Sequence, residues 1–439
     1  MQKIYFLSLG CPKNLVDSEI LSALLHEVHF EIVEDPSIAD ILLISTCAFI
    51  KPAIEESIEA ILELAQIKQP GQRLIVIGCL VERYKEELIP LLPEVDAWLG
   101  FKALPALPRW LRQSSLPRFV LEGPGWHRED YLKRMPSHPF TAYVKIAEGC
   151  SNYCTFCTIP AIRGKLASRP MEDISKEVEA LVAQGVKEII LVAQETTAYG
   201  MDIYGRPCLA ELLQRLDTSG VTWLRVLYAH PKRVIPLIEA FSSCKHLTPY
   251  LDVPIQHIDS QVLKTMGRGM NEEEVRRTLL RFKETLPQVK LRTTVMVGFP
   301  TETEAAFKRL VDFVKEMEFN YLGVFKYFPE EGTPAFKMGD IIPDEVKEER
   351  YQTILDLQYQ IVRKKYQNYI GHIERVFIDR IEEGYAGVGR TSWQAPEIDG
   401  EVYITEGEAF LGEIKPVKII DTYDYDLIGI VLPDNPFLE

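Results

Sequence analysis

The segment AYVKIAEGCSNYCTFCTIP, residues 142–160, places three cysteines directly after a strand-like apolar run. Cys150, Cys154 and Cys157 are grouped on one short loop, although the whole chain of 439 residues has only eight cysteines. Three thiolates on one loop can hold three corners of an iron–sulfur cluster and leave one iron open to another ligand. The alternative is a structural zinc knuckle, which would require a fourth Cys or His nearby.

Strand-like and helical patterns alternate around this loop. Helical patterns such as residues 172–184 and 302–317 separate six apolar runs. These runs are AYVKIAEG, EIILVAQ, WLRVLY, YLDVPIQ, LRTTVMVGF and YLGVFKYF. Strands that alternate with helices form helix-covered parallel sheets. Six strand–helix units fit a partial (β/α)6 barrel over residues 140–369 better than the alternative, a flat doubly wound sheet. A charged helix at about 344–369 is its last element.

A second set of cysteines lies in the N-terminal region, residues 1–121, which we predict to be an open parallel α/β sheet domain. Cys11, Cys47 and Cys79 each follow an apolar run, in YFLSLGC, ILLISTC and RLIVIGC. The carboxyl ends of parallel strands meet at one edge of a sheet, so the three thiols should converge there as a second cluster site. The alternative is three buried structural cysteines. Cys208 and Cys244 have no such placement, and we interpret them as structural.

Two further boundaries are visible in the pattern. Residues 122–139, EGPGWHREDYLKRMPSHP, lose apolar periodicity and read as a linker. Residues 370–439 consist of short strand-like runs separated by turns, which is typical of a small antiparallel β-barrel. The fold class is therefore α/β, with a terminal β domain.

Composition limits the class of protein. Hydrophobic residues make up 46% and charged residues 26% of the chain, as in ordinary globular proteins. No run of about 18 apolar residues is present, and the first residues lack a signal-peptide pattern. We therefore expect a cytoplasmic protein with reduced thiols. The net charge of −15 disfavours general binding to nucleic acid.

These features together resemble the radical S-adenosylmethionine methylthiotransferases over nearly the whole chain. The segments that carry the resemblance are GCPKNLVDSE at 10–19, the Cys150-x3-Cys154-x2-Cys157 spacing, VAQETTAYG at 192–200, PIQH at 254–257 and TTVMVGFPTETE at 293–304. They are most similar to the branch that modifies an aspartate of ribosomal protein S-twelve. A related branch with the same chemistry modifies a tRNA adenosine.

The resemblance implies two 4Fe–4S clusters. Cys150, Cys154 and Cys157 would hold the cluster that binds S-adenosylmethionine and generates a 5′-deoxyadenosyl radical. Cys11, Cys47 and Cys79 would hold the cluster that presents sulfur to the substrate carbon. A second S-adenosylmethionine would supply the methyl group, and an electron donor and a sulfur source are implied as partners.

Contacts to S-adenosylmethionine are also implied by the resemblance. The residues are Phe156 in the cysteine loop, Gln194 and Glu195 after the second barrel strand, and Val297 and Gly298 after the fifth. Here AQET replaces the family's usual Gly-Gly-Glu, and a GFP sequence is otherwise simply a strand-ending turn.

Several charged residues remain open to two interpretations. Arg163, Lys165 and Arg169 either meet an anionic substrate group or form a solvated face. We interpret His257 as a core histidine rather than a ligand.

The C-terminal region favours a protein substrate. From Tyr369 onward the chain has five Lys or Arg and fifteen Asp or Glu, a net charge of −10. An acidic barrel repels RNA phosphates and attracts a basic partner such as a ribosomal protein. An alternative explanation of the acidity is that it serves only solubility. Two other classes of protein also stay open for the whole chain: an electron-transfer protein and an RNA-binding scaffold. Tyr385, Trp393, Tyr403 and Tyr425 belong either to an interface or to the small core.

Overall fold

The computed structural model describes residues 1–113 and 115–433. The chain forms two compact units. The first contains Met1–Gln184, Val192–Gln194 and Phe328–Lys337; the second contains Gly185–Leu191, Glu195–Tyr327 and the chain from Met338 onward. Within the described residues, no helix is both long and apolar enough to cross a membrane.

The first unit begins with an open, fully parallel six-stranded sheet, as predicted. The spatial order of its strands is Phe30–Val33, Gln2–Ser8, Ile41–Thr46, Arg73–Gly78, Ala97–Leu99 and Phe119–Val120. The central strands are buried on both faces, which explains why their sequences are continuous apolar runs. Leu42, Ile44 and Val76 pack on one face, and Leu43 and Ile75 on the other.

Helices cover this sheet and begin close to the strand ends. Pro12–Glu27, Lys51–Ile67 and Cys79–Tyr84 follow the first, third and fourth strands in the chain. Proline stands in the first turn of Pro12–Glu27 and of Lys51–Ile67, where its missing N–H costs nothing. The remaining helix of this domain is Leu107–Arg112.

Residues 122–139 are more structured than a simple linker. They include the helix Arg128–Lys133, which His127 and Asp130 close with a reciprocal capping box. The side chain of Arg134 is completely buried and pairs with Glu19 and Glu177. The polar composition of this segment does not reveal this packing, because a charged side chain can be buried when a distant residue pairs with it. The domain boundaries remain a prediction.

The six strands predicted for the central region are all present. They are Thr141–Lys145, Glu188–Val192, Trp223–Val226, Tyr250–Asp252, Lys290–Val297 and Tyr321–Lys326. In the second unit, Glu188–Val192 pairs with Trp223–Val226, and Lys290–Val297 pairs with both Tyr250–Asp252 and Tyr321–Lys326. All of these pairings are parallel, as the α/β pattern requires.

The helices of the central region also follow the predicted pattern. Those in the first unit are Ile159–Ile162 and Met171–Ala183. Those in the second are Leu209–Leu216, Leu237–Ser243, Ser260–Thr265, Glu272–Thr285, Glu304–Met317 and the long charged helix Asp344–Gln367.

The second unit ends in a closed five-stranded barrel. Its strands lie in the order Ile373–Arg380, Gly387–Thr391, Val402–Glu406, Asp426–Val431 and Ile414–Tyr423. Four neighbouring pairs are antiparallel, whereas Val402–Glu406 and Asp426–Val431 run parallel. A closed ring with an odd number of strands cannot alternate in direction throughout, so one parallel pair is required. The predicted antiparallel barrel is confirmed apart from this pair.

Candidate metal centres

Cys11, Cys47 and Cys79 lie together at the carboxyl edge of the N-terminal sheet. Cys11 precedes the helix Pro12–Glu27, Cys47 follows the strand Ile41–Thr46, and Cys79 begins its helix directly after Arg73–Gly78. Cys47 and Cys79 are buried, and Cys11 is close enough to both to raise the pKa of each thiol. All three cysteines therefore follow strand ends at one edge of the sheet, and their convergence on one cluster stays a prediction. We call these residues the sheet triad.

Two glycines allow the strand ends to approach so closely. Gly10 has φ +96°, and a Cβ on it would lie 2.9 Å from the Cβ and 3.3 Å from the Sγ of Cys47. Gly78 has φ +101°, and its Cβ would lie 2.9 Å from the carbonyl oxygen of Thr46. Neither position has room for a larger residue. The backbone before two of the three cysteines is thus shaped around the neighbouring strand end.

Asn14 ties the three strand ends together. Its amide nitrogen donates hydrogen bonds to the carbonyl oxygens of Leu9 and Thr46, at 3.0 and 3.1 Å. Its amide oxygen lies 3.9 Å from the Cys79 thiol. Cys47 is held separately by Ser57, whose hydroxyl accepts from its N–H and donates to its carbonyl. These bonds fix the backbone before Cys11 and around Cys47, and they place a polar group next to the Cys79 thiol.

The three thiols differ in their proton affinity. Burial raises the pKa of Cys11, but the charges of Lys13 and Arg163 and backbone hydrogen bonds together bring it below its ordinary value. Burial raises the pKa of Cys47, and it raises the pKa of Cys79 to about 12 against the opposing charge of Arg163. A bound metal would remove these protons, since thiolates are the ligating form. Three thiols at one sheet edge are the donor set that an iron–sulfur cluster uses, so the chemistry of these residues fits such a site.

Cys150, Cys154 and Cys157, the loop triad, occupy one partly exposed turn in the same unit. The backbone N–H of Cys150 donates to the carbonyl of Gly164 at 3.1 Å, and that of Cys157 donates to the carbonyl of Cys154 at 3.0 Å. The loop thus folds back on its own start and on the segment that follows it. Three accessible thiols on such a loop fit a cluster whose fourth corner faces a small ligand.

A segment from later in the chain packs against both triads. Within the first unit, Glu330 accepts hydrogen bonds from the N–H of Lys51 and from Arg83, whose guanidinium also donates to the carbonyl of Ala48. The N–H of Ala335 donates to the carbonyl of Thr155 in the cysteine loop. The segment Phe328–Lys337 therefore supports the backbone after Cys47 and the backbone between Cys154 and Cys157.

The three basic residues after the loop triad differ in burial. Arg163 is buried and pairs with Asp17 and Glu148, and Arg169 pairs with Glu177 and lies over the ring of Tyr131. Lys165 alone is exposed. The solvated-face interpretation is therefore wrong for the two arginines, because both have buried carboxylate partners. A contact with an anionic substrate group stays a prediction.

The polar network between the two triads was not predicted from the sequence. Lys145 is buried and pairs with Asp17 and Glu148, whereas Asp17 also accepts from the indole N–H of Trp126. The charges of Lys145 and Arg163 outweigh burial and hold the pKa of Glu148 at about 2. One signal was available: Asn14 and Asp17 stand three residues apart among the apolar residues of a helix, and so share one of its faces.

The predicted S-adenosylmethionine contacts are distributed over both units. In the first, Phe156 is half-buried in the cysteine loop, and the amide of Gln194 donates to Glu148 at 3.4 Å. In the second, Glu195 is buried and accepts hydrogen bonds from Arg233 and Thr197. Their roles in binding remain predictions.

The segment after the fifth central strand is also tightly packed. Val297 is buried, and the N–H of Gly298 donates to a carboxylate oxygen of Glu302 at 2.9 Å. A Cβ on Gly298, which has φ +80°, would lie 2.4 Å from the Cγ of Lys347. A glycine is therefore required at this turn for packing, whether or not the segment also contacts a ligand.

His257 is completely buried, and burial lowers its pKa to about 3. Its Nδ1 accepts a hydrogen bond from the N–H of Asp259, and its Nε2 lies 3.7 Å from Glu302. Cys208 is buried, and its thiol donates to the carbonyl of Arg206; Cys244 is partly buried. These positions agree with structural roles. Within residues 1–113 and 115–433, no three His, Cys, Asp or Glu side chains are arranged to hold a metal ion. Cluster ligation therefore remains a prediction.

Three family models match successive parts of the chain. Residues 3–100 match an uncharacterised protein family, UPF0004; residues 144–314 match the radical SAM superfamily; and residues 370–432 match the TRAM domain.

Curated relatives match the full length. The ribosomal protein uS12 methylthiotransferase RimO of Geobacter sulfurreducens is 44% identical and covers 98% of this chain and 99% of its own. The protein of the same name from Acetivibrio thermocellus is 42% identical and covers 99% of each.

A solved structure shares the fold. The radical S-adenosylmethionine methyltransferase TsrM from Kitasatospora setae, solved with tryptophan substrate and an S-adenosylmethionine analogue, superposes with a TM-score of 0.56. It covers 76% of this chain and 75% of its own at 14% identity, so the likeness concerns the fold alone.

Proposed function

Because this chain belongs to the RimO family of ribosomal protein uS12 methylthiotransferases, we propose that it adds a methylthio group to the β carbon of an aspartate in that ribosomal protein. The observation that carries the proposal is the full-length identity of 44%, which includes both cysteine triads of this chain within the aligned length. A C–H bond at that carbon is not acidic enough for ordinary base chemistry, so the reaction requires a radical route.

We assign each triad one 4Fe–4S cluster. When bound, a cluster on Cys150, Cys154 and Cys157 supplies the electron that cleaves S-adenosylmethionine, and a cluster on Cys11, Cys47 and Cys79 supplies the sulfur. The protein holds the first set of thiols on an accessible loop and the second in a buried sheet edge. Phe156, Gln194, Glu195, Val297 and Gly298 remain the proposed contacts to S-adenosylmethionine.

The buried charges fix the geometry between the two sets of thiols. Asp17, on the helix after Cys11, is bonded to Lys145, on the strand before Cys150. Glu148 is bonded to Lys145 and Arg163 and accepts from Gln194. Because these groups are satisfied by each other, the thiols are held in place without a substrate. A reaction that must bring sulfur and a carbon radical together requires such prior alignment.

The C-terminal barrel supports a basic protein partner. Glu382, Glu383, Glu406 and Glu408 are exposed on its surface, whereas Arg390, one of its five cations, is buried between Glu188 and Asp379. These glutamates give the barrel surface a negative charge, in agreement with the net charge of −10 counted from Tyr369 onward. Such a surface attracts a basic ribosomal protein and repels tRNA.

The barrel aromatics have different roles. Trp393 is buried and stacks on Tyr369 with ring centroids 4.9 Å apart, so it belongs to the core. Tyr385 is exposed and contacts Tyr403. Tyr425 contacts Tyr359 of the long helix. Of the four residues, Tyr385 is the best candidate for an interface.

Mass spectrometry of ribosomal proteins and tRNA tests the proposal. Cells that lack the gene should contain uS12 without the methylthio group, and cells complemented with the intact gene should regain it. Complementation with the loop triad changed to alanine is the matched control and should not restore it. A methylthio group lost from tRNA alone, with uS12 unchanged, would contradict the proposal and favour the tRNA-modifying relatives.

A further inference from the structure

We infer that Arg163 is a positioning residue that raises the reduction potential of the cluster held by Cys11, Cys47 and Cys79. The inference rests on the proposed function, because it assumes that the sheet triad holds a cluster. It adds a residue from outside the N-terminal sheet to that site. Arg163 lies directly after the helix Ile159–Ile162, six residues beyond Cys157.

The guanidinium of Arg163 is held in a definite orientation. One amino group, Nη1, donates to Asp17 at 3.1 Å and to Glu148 at 3.2 Å. The other, Nη2, donates to the amide oxygen of Asn14 at 2.5 Å and points at the Sγ of Cys79, 3.8 Å away. The plane lies over the ring of Phe101, with the central carbon 3.3 Å from the ring centroid. The two carboxylates therefore bind Nη1 of the guanidinium, and the Cys79 thiol lies next to Nη2.

The charge of Arg163 lies beside the sheet triad. Its Nη2 is 3.8 Å from the Sγ of Cys79 and bonds to Asn14, whose amide nitrogen holds the carbonyls of Leu9 and Thr46 just before Cys11 and Cys47. The side chain is only 3% exposed, so water does not screen this interaction. An N–H group close to a ligating sulfur and a buried positive charge both stabilise the more negative, reduced form of a cluster.

The backbone beside Arg163 serves the other triad. The carbonyl of Gly164 accepts the hydrogen bond of the Cys150 N–H at 3.1 Å. The side chain of one residue and the carbonyl of the next therefore contact different cysteine sites. A purely structural ion pair between Arg163, Asp17 and Glu148 does not need an amino group directed at Cys79. Its presence distinguishes a tuning role from a stabilising one.

The test uses the full-length chain with Cys150, Cys154 and Cys157 changed to alanine, so that only the sheet triad can hold iron. Stepwise reduction with titanium(III) citrate, followed by electron paramagnetic resonance, gives the midpoint potential of that cluster. Arg163→Gln should shift the potential to more negative values, and Arg163→Lys should shift it less, because the charge is retained. Glu148→Gln should shift it in the opposite direction, since it removes a negative charge from the same group.

Arg169→Gln is the matched control. It removes another arginine of the same segment, whose guanidinium donates to Glu177 and to the carbonyl of Lys145. The midpoint potential of its sheet-triad cluster should equal that of the background chain, in which only Cys150, Cys154 and Cys157 are changed to alanine. If Arg163→Gln and Glu148→Gln leave the potential unchanged or shift it in the same direction, the inference is wrong. If Arg163→Gln fails to retain iron, the Glu148→Gln variant tests the inference alone. A shift of the midpoint potential to more positive values supports the inference, and a shift to more negative values or no shift contradicts it. A background chain without any cluster would instead overturn the two-cluster proposal itself.

Discussion

Cys150, Cys154 and Cys157 share one partly exposed loop, whereas Cys11, Cys47 and Cys79 come from three strands of one sheet and lie largely buried. The loop triad is defined by local spacing and needs few other residues to bring its thiols together. The sheet triad exists only when the parallel strands are in register, and it needs Asn14 and two glycines to fit. One site is therefore encoded locally and the other by the fold.

Removing either triad should have the largest effect on activity, because each triad should support a different step of the reaction. Changing Cys150, Cys154 and Cys157 to alanine should abolish formation of 5′-deoxyadenosine, because S-adenosylmethionine then has no iron to bind. Changing Cys11, Cys47 and Cys79 should preserve deoxyadenosine but abolish methylthiolated uS12. Chromatography of deoxyadenosine and mass spectrometry of uS12 measure the two products. Deoxyadenosine that persists without the loop triad would reverse the assignment.

This division explains how much was predictable from the sequence. The six strands, the loop triad and the terminal barrel follow from patterns within short segments, whereas the sheet triad also required the rule that parallel strands end at one edge. The partners of Arg163 do not, because Asp17 and Cys79 are 146 and 84 residues away along the chain. The same holds for Arg134, whose burial is determined by Glu19 and Glu177 rather than by its polar surroundings in sequence. Charges buried by distant partners have no local signature.

The next effect concerns the charge network that both triads share. Lys145→Met should lower the free energy of unfolding by about 3–5 kcal/mol, because Asp17 and Glu148 lose a buried partner. Anaerobic urea unfolding measures it. Lys51→Met is the matched control: its ion pair with Glu55 is exposed, and its loss should cost no more than about 0.5 kcal/mol. Equal costs for the two variants would show that the network is not buried as described.

Two carboxylates that pair with Arg350 also differ in burial, as the two cysteine triads do. The side chain of Glu302 is 0% exposed and that of Glu304 is 85% exposed. Burial raises the pKa of Glu302 to about 7, against the opposing charge of Arg350. The folded chain therefore keeps this proton at a pH where the unfolded chain has lost it. Its contribution to stability is complete below about pH 4.5 and is lost as the pH rises through about 7.

Urea unfolding at several pH values checks this dependence. The stability of the unaltered chain relative to Glu302→Gln should fall by about 3 kcal/mol between those limits. Relative to Glu304→Gln it should change little, because the side chain of Glu304 stays exposed to water in the folded chain. A flat difference for Glu302→Gln would show that this carboxylate is ionised throughout.

The smallest effect should be confined to the sheet triad. Asn14→Ala removes hydrogen bonds to two strand ends and should lower the free energy of unfolding by about 2 kcal/mol. It should also release iron from the sheet triad and leave deoxyadenosine formation intact. Asn271→Ala, which removes an exposed helix cap, should cost about 1 kcal/mol and release no iron. Iron lost equally from both variants would remove Asn14 from the site.

The iron content of three chains purified without oxygen distinguishes two clusters from one. We expect about eight irons per unaltered chain and about four in either chain with one triad changed to alanine. The chain without the sheet triad and the chain without the loop triad should each retain one cluster. About four irons in the unaltered chain, all lost with the loop triad, would contradict a second cluster at Cys11, Cys47 and Cys79.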